Sequence, residues 1–519
     1  MSQAVWGCST QSGSWAGLSE SDDARPTNAS TEYEPDGGRR NLTHQDADWS
    51  GLRVVVVGLG LSGFAAADAL LERDAMVTVV SRDRSAAMEE RARILDILGA
   101  RVLFGDEAPA APPDGTQLVV TSPGVPPSNP FLRAADAAGI PVWGEVELAW
   151  RMRPAEGAAP WLTITGTNGK TTAVTMLEAI LRAAGLRATA AGNVGTPILE
   201  AVLHPEPYDV LAVELSSFQI HWSRSVSPYS SCLLNVAPDH VDWHGSYDEY
   251  RRVKGRVYER TQVAAIYNVQ DPATEQLLMD AEVVEGCRAV GFTTGVPAIS
   301  MVGVVDDVLA DRAFVADRRT SAAELASVAD LSIGGARPAP HYVADALAAA
   351  ALARSFGVAP AAVQAGLRAY TPQPHRVQDV GAVDGVRYID DSKATNTDAA
   401  MGSVTAFEQV VWIAGGLLKG ADVEELVRAA VPHLRAVVLL GRDRAQLAQA
   451  LGRHAPDVPV VDVASTDTGA MSEVVRAAQS LARAGDVVLL APAAASMDMF
   501  DNYGARGDAF AAAVRELSD

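Results

Sequence analysis

The sequence predicts an α/β protein of three domains in series. Three observations carry this. Short β-branched runs alternate with Ala/Leu-rich helical segments along most of the chain. Two of those runs end in glycine-rich turns that open directly into helices. Proline-containing joints at residues 151–160 and 371–374 divide the alternation. A length of 519 residues agrees, because single cores stop growing at about 250–300 residues.

Residues 1–48 are rich in Ser, Gly, Asp, Asn and Thr without a helical or strand period, the pattern of a disordered tail, in which Trp6 and Trp15 are unusual. The first α/β unit, 49–150, opens with the strand Leu52–Val57, a glycine turn, a helix ending near Arg73 and a strand Met76–Val80. It continues to a strand at Leu118–Thr121. The second unit, 151–371, has strands at Trp161–Thr165, Val210–Leu215 and Ser231–Val236. Thr371-Pro372-Gln373-Pro374 reads as a rigid hinge into the third unit, 372–519, with strands at Gly385–Ile389, Gln409–Ala414, Ala436–Leu440 and Asp486–Leu490.

Composition narrows the function classes. Forty-two Lys plus Arg stand against 64 Asp plus Glu, a net charge of −22, and no long basic run offsets it. Nucleic acid and anionic membrane surfaces are therefore poor partners. No apolar stretch is long enough to insert in a membrane, since the Ala-rich run after His341 is broken by Asp345 and Arg354. Cys8, Cys232 and Cys287 are too few and too scattered for a disulfide framework or a zinc site. A cytoplasmic protein is expected, and with no dedicated interface in view, a monomer.

The first chemical motif is Gly58-Leu59-Gly60-Leu61-Ser62-Gly63, between a strand and a helix. Glycines there let the backbone approach a pyrophosphate, and the helix N-terminus supplies free N–H groups. A nicotinamide dinucleotide site would place Asp or Glu at the end of the second strand, where this chain has Ser81. Arg82 suits a 2′-phosphate, so an NADP-linked dehydrogenase stands as an alternative at this point.

The second motif is Gly166-Thr167-Asn168-Gly169-Lys170-Thr171-Thr172, again between a strand and a helix, expected at Ala173–Ala184. Backbone N–H groups would cradle phosphates, Lys170 would neutralise them and Thr171 would reach a metal ion. Only two residues separate its glycines, against four in the common phosphate loop. Glu214, at the end of a strand in the same unit, is the expected carboxylate partner of the metal.

These residues carry a resemblance. Thr165–Thr172, Gly192-Asn193-Val194-Gly195, Glu214-Leu215-Ser216-Ser217, Asn235–Asp242 and His375-Arg376 together resemble the Mur ligase family, ATP-dependent amide-bond ligases of peptidoglycan precursor synthesis. In the last third, Asp391–Asn396, Gly415–Gly420, Ala491–Phe500, Asn502-Tyr503 and Arg506-Gly507 resemble its D-glutamate-adding branch. The match covers about residues 52–519 and leaves the tail outside.

The resemblance implies a Rossmann-like UDP-binding domain, a central P-loop-type ATPase domain and a Rossmann-like C-terminal domain. It implies ATP and Mg2+, with UDP-N-acetylmuramoyl-L-alanine and D-glutamate as partners, joined through an acyl phosphate. Gly166–Thr172 would hold ATP with Asn268, Asp271, Arg376, Asp391 and Lys393. Thr171, Glu214, His240 and Lys254 would serve metal ions, Lys254 as a carbamate because an ammonium cannot ligate magnesium. Lys170, Glu214, His240 and Lys254 form the catalytic set. Gly58, Gly60, Leu61, Ser62, Gly63, Ser122, Pro123, Gly124, Asn193 and His240 would meet the UDP substrate. Thr395, Lys419, Ser496, Met497 and Tyr503 would meet D-glutamate. The spacing of Ser246 and Glu249 predicts a capping box at the start of the Lys254 helix, and Gly255 within that helix implies close packing.

Overall fold

The computed structural model describes residues 41–332, 338–465, 467 and 469–517, and the elements below belong to them. Trp6, Trp15, Cys8 and most of the expected tail lie outside the described residues. Residues 42–48, assigned to that tail, are instead part of the packed body. Leu42 and Trp49 are buried, and Gln45 N–H donates to the Arg153 carbonyl at 3.0 Å.

Strands β1 (Arg53–Val57), β2 (Met76–Ser81), β3 (Arg101–Phe104), β4 (Leu118–Thr121) and β5 (Val142–Gly144) form a parallel sheet of order β3-β2-β1-β4-β5. The second sheet contains β6 (Trp161–Thr165), β7 (Ala188–Gly192), β8 (Val210–Glu214), β9 (Ser230–Leu233), β10 (Ala264–Asn268), β11 (Arg288–Phe292), β12 (Met301–Val305), β13 (Val308–Asp311) and β14 (Ala323–Ser327). Its order is β14-β13-β12-β11-β10-β9-β6-β8-β7, antiparallel only across β12, β13 and β14. The third holds β15 (Gln378–Val383), β16 (Val386–Asp390), β17 (Val410–Gly415), β18 (Leu434–Leu440), β19 (Val460–Asp462) and β20 (Val487–Leu490), in the order β15-β16-β20-β17-β18-β19. The three-domain α/β architecture is therefore as expected.

Every strand read from the sequence forms, within two or three residues at its ends. The antiparallel additions were not foreseen. They are hairpins turned by residues that accept positive φ: Asp306 at +53° between β12 and β13, and Asp384-Gly385 at +52° and +79° between β15 and β16. The expected capping box is half formed. Ser246 Oγ accepts from the Glu249 N–H at 3.1 Å, but the Glu249 carboxylate turns to Arg252 at 2.6 and 2.8 Å. Gly255 ends the helix Tyr247–Gly255, and a Cβ there would sit 2.8 Å from the tip of the Leu277 side chain and 3.1 Å from its Cβ, so the packing at this position is close.

One continuous apolar cluster runs from Leu42, Trp49 and Leu70 beside the first sheet to Trp161, Leu211 and Tyr258 beside the second. The third sheet has two clusters of its own, around Trp412 and around Phe510. Glu147, in the helix Glu145–Arg151, bolts the first two sheets together. Its carboxylate accepts from the N–H groups of Arg224 (2.7 Å) and Ser225 (2.8 Å), the Ser225 hydroxyl (2.6 Å) and Arg151 (2.6 Å). Burial alone would push this carboxyl up, yet Arg151 and those hydrogen bonds overcome it and hold Glu147 below the usual range.

Candidate active site

The phosphate loop leaves the C-terminal end of β6, which lies between β8 and β9 and is fully buried. The helix begins at Lys170, three residues earlier than expected, with Gly169 as its N-cap at φ +82°. A side chain at that left-handed position would be strained and would also collide with Asp345. The neighbouring loop holds the cradle open. Asn235 Oδ1 accepts from Asn168 N–H at 2.8 Å, and Thr167 Oγ1 meets Tyr250 Oη at 2.9 Å. Ala237 N–H donates to Thr167 Oγ1 at 3.0 Å.

Two lysines converge beneath this loop. Lys170 Nζ donates to the carbonyls of Gly166 (2.9 Å) and Thr167 (2.8 Å). Lys254, 2% exposed, donates to the same Gly166 carbonyl at 2.6 Å and to Thr165 Oγ1 at 3.4 Å. Burial, with Lys170 second, pushes the Lys254 amine well below the ordinary lysine range. Lys170 is also lowered by burial, and for both amines Glu214 and Asp239 oppose the shift.

Glu214 ends β8 beside β6, with Ile164 as its register partner. Its Oε1 accepts from Asn193 Nδ2 at 2.8 Å, and Asn193 N–H donates to the Glu214 carbonyl at 2.9 Å. Its Oε2 is buried and, among the described residues, has no hydrogen-bond partner. A buried carboxylate oxygen without a donor is costly unless a cation meets it. His240 stands opposite at φ +50°, its ring 4.7 Å from Phe218 and its Nε2 3.5 Å from Asp239. Burial lowers its pKa, Asp239 opposes the shift and the two lysines reinforce it.

A cavity of about 790 Å³ joins these groups to the third sheet. Its lining includes Thr167–Thr172, Asn193, Glu214 and His240 from one side and Arg376, Asp391, Lys393, Thr395 and Tyr503 from the other. Asn396 Nδ2 donates across the gap to Asn168 Oδ1 at 3.0 Å. Lys393 Nζ lies 4.0 Å from the Tyr503 ring centroid, and burial, Arg376 and Lys170 bring its pKa down to about 8. Asp391 accepts from Val377 N–H at 3.2 Å and from the Ser403 hydroxyl, and so fixes the turn that presents Arg376. Burial raises the Asp391 carboxyl to about 6.

The remaining expected residues separate into three groups. Asn268 and Asp271 line the same cavity but are engaged by the fold. Asn268 Nδ2 donates to the Leu234 carbonyl at 2.8 Å, while Asp271 accepts from Val236 N–H at 2.8 Å and caps the helix Pro272–Met279. Lys419, Ser496 and Met497 fall outside the cavity lining. They sit with Thr395 at the C-terminal edge of the third sheet, where β16, β20 and β17 are adjacent and Leu417 pairs with Ala495. Lys419 is exposed at φ +53°, Met497 is exposed and Ser496 is buried. The turn Gly58–Gly63 and Ser122–Gly124 form a third locality at the end of β1 and β4, reached by Trp243 Nε1, 3.4 Å from the Gly124 carbonyl.

Sequence reasoning gave no role to Asp345, Asp239 or Tyr250. Asp345 lines the cavity beneath Gly169, and burial pushes its carboxyl well above the usual range against the pull of Arg376 and Lys170. One signal was present: a lone acid inside an otherwise Ala/Leu helix, Pro340–Ser355.

A strand–loop–helix turn with a left-handed glycine at its N-cap, a buried carboxylate beside it with one oxygen lacking a donor, and cations from a separate α/β domain form the arrangement expected of a nucleotide-dependent ligase. Three family models match in chain order: the Mur ligase MurD-like N-terminal domain over residues 52–144, the Mur ligase middle domain over 164–353, and the Mur ligase glutamate ligase domain over 375–494. A UDP-N-acetylmuramoylalanine–D-glutamate ligase of Streptomyces avermitilis is 58% identical, over 91% of this chain and 99% of the relative. The proteins of the same name from Thermobifida fusca and Mycolicibacterium smegmatis are 57% and 47% identical, each over 90% of this chain and 99% and 97% of their own. The chain belongs to the Mur ligase family, in its UDP-N-acetylmuramoylalanine–D-glutamate ligase branch. Among solved structures, the MurF ligase of Thermotoga maritima in complex with ADP shares the fold, with a TM-score of 0.53 at 14% identity over 92% of this chain and 99% of its own. The dehydrogenase alternative, which left the phosphate loop without a task, falls with this assignment.

Proposed function

We propose that this chain adds D-glutamate to UDP-N-acetylmuramoyl-L-alanine at the expense of ATP, in cytoplasmic peptidoglycan precursor synthesis. The observation that carries the reading is the Glu214 Oε2 atom, buried without a donor beside a phosphate cradle that shares its cavity with Arg376 and Lys393.

Joining a carboxylate to an amine in water is uphill, so the L-alanyl carboxylate takes the γ-phosphoryl group first, and the D-glutamate amine then displaces phosphate from the acyl phosphate. The amides of Gly166–Thr172 hold the ATP phosphates, and Lys170 turns from its carbonyl partners to them. Arg376 and Lys393 neutralise charge from the opposite wall, while Asp391 orients Arg376. Asn193 keeps the Glu214 carboxylate in one rotamer. The donor set fits magnesium: Glu214 Oε2 and the Thr171 hydroxyl are hard oxygen ligands, and His240 with a carbamylated Lys254 would form a second position. Magnesium bound there supplies electrophilic stabilisation of the transferring phosphoryl oxygens. Burial favours the uncharged form of the Lys254 amine, the form that would add to CO2, releasing one proton and leaving a carbamate oxygen donor, which would also relieve two cations of a shared Gly166 carbonyl.

Gly58–Gly63 and Ser122–Gly124 bind the UDP moiety, and Thr395, Lys419, Ser496, Met497 and Tyr503 the amino acid. The working divisions are 42–150, 151–371 and 372–519, with the segment 371–374 as pivot, and the protein acts as a monomer without nucleic-acid or membrane partners. No described helix is long and apolar enough to cross a membrane. The test is phosphate release from ATP. It should require both UDP-N-acetylmuramoyl-L-alanine and D-glutamate, and hydroxylamine should trap a muramoyl hydroxamate. Release with either substrate absent, or dependence on another amino acid, would overturn the reading.

A further inference from the structure

The glycine turn after β1 is shaped for an anion. Gly58 takes φ +94°, and the helix Leu61–Leu71 has no side-chain cap and no acid in its first turn, which leaves its leading N–H groups for a ligand. The end of β2 contributes little. Ser81 is buried and its hydroxyl donates to the Asp83 carbonyl at 3.0 Å, while Arg84 is drawn 2.8 Å to Glu89.

One cation does reach the turn, from the helix Ala86–Ile97. Arg91 Nη1 donates at 3.3 Å to the carbonyl of Leu59, the residue between Gly58 and Gly60. That is its one side-chain hydrogen bond among the described residues, and it makes no ion pair with a described carboxylate. A guanidinium has five N–H donors in a planar fork that matches phosphate oxygens, so most of its capacity is unspent. In a chain of net charge −22, a half-buried arginine without a carboxylate and tethered to a glycine turn is placed for an anionic ligand.

We propose that Arg91 is a diphosphate-binding residue. With the N–H groups of the turn it clamps the pyrophosphate of the UDP-linked substrate, a contact that Ser81, bonded to the Asp83 carbonyl, and Arg84, paired with Glu89, do not provide. The inference rests on reading Gly58–Gly63 as the UDP site.

The full-length protein, its Arg91→Met and Arg91→Lys variants and an Arg93→Met control, exposed on the same helix, are compared for KM of each substrate and for inhibition by UDP and by uridine. Loss of a charge-assisted pair predicts that Arg91→Met raises the UDP-substrate KM and the UDP inhibition constant about tenfold or more. Arg91→Lys, a point charge without the fork, should lose less. Uridine inhibition and the KM values for ATP and D-glutamate should move less than twofold. Arg91→Met behaving like Arg93→Met overturns the Arg91 assignment while wild-type inhibition by UDP upholds the turn. A parallel rise in the ATP and UDP-substrate KM values assigns Arg91 to structure alone and also overturns it. Failure of UDP to inhibit the wild type would remove the UDP reading itself, and the inference with it.

Discussion

Adding one methyl group at Gly63 is a severe test of the UDP site proposed for the first domain. A Cβ there would lie 3.0 Å from the Gly58 carbonyl carbon, nearer still to its oxygen, and 3.1 Å from Ser122 Oγ. Carbon-to-oxygen contacts relax at roughly 3.3 Å or more, so the helix Leu61–Leu71 must withdraw by about an ångström. Overpacking of this kind costs about 1–3 kcal/mol, and a misplacement of that size in a binding site is worth up to about a hundredfold. Gly63→Ala should therefore lower the melting temperature by a few degrees and raise the UDP-substrate KM ten- to a hundredfold, with the KM for ATP unchanged. Gly60→Ala supplies the contrast. Nothing lies within 4 Å of a Cβ at Gly60, whose backbone is extended at φ −73° and ψ −167°. Its melting temperature should match wild type, and any rise in KM then measures contact between the new methyl and the ligand. Calorimetry and steady-state kinetics read both variants. A Gly63→Ala protein with wild-type KM would refute the claim that the turn and helix grip the diphosphate.

Three further outcomes follow from the central cavity. Glu214→Gln should abolish magnesium-dependent turnover while leaving the ligand-free protein folded, because Oε2 has no hydrogen bond to lose; a variant that no longer folds would argue that Oε2 is satisfied within the fold. Wild-type activity should fall in CO2-depleted buffer and return with bicarbonate, whereas Lys254→Met should stay inactive throughout, and indifference of the wild type to bicarbonate would sink the carbamate. Asp391 has a folded pKa of about 6, above its unfolded value, so its contribution is present in acid and lost as pH rises through 6. Relative to Asp391→Asn, wild type should lose up to roughly 3 kcal/mol of unfolding free energy between pH 4 and pH 7, as denaturant titrations would show.

The parts of the site legible in the sequence were those written in contiguous residues. Gly166–Thr172 directly follows a β-branched run, and Glu214 ends another, so backbone geometry alone places both. Lys254 was invisible as a buried group, because its helix also carries Asp248, Glu249, Arg251 and Arg252 and reads as solvated. Its burial comes from Tyr250 and the underside of the phosphate loop, which are tertiary facts. Asp345 was passed over as a break in an apolar run, when it is the acid beneath the cradle. Asn268 and Asp271 have the right chemistry for a base, but their polar atoms are committed to the loop 234–237 and to a helix cap. The residues proposed for D-glutamate follow three separate strands of the third sheet, and their distance from Gly166–Thr172 depends on how that sheet is set against the second.

The Glu147 junction has a consequence for ligand design. Four donors converge on one buried carboxylate, and a single apolar cluster spans both neighbouring sheets, whereas the third sheet keeps its packing to itself. The Gly58–Gly63 turn and the Gly166–Thr172 loop therefore belong to one packed unit, and on the proposed assignment of sites their separation would act as a fixed ruler. A tethered inhibitor bridging the proposed uridine and triphosphate sites would then need one linker length, while a tether reaching toward Lys419 would cross to a sheet whose apolar packing is separate.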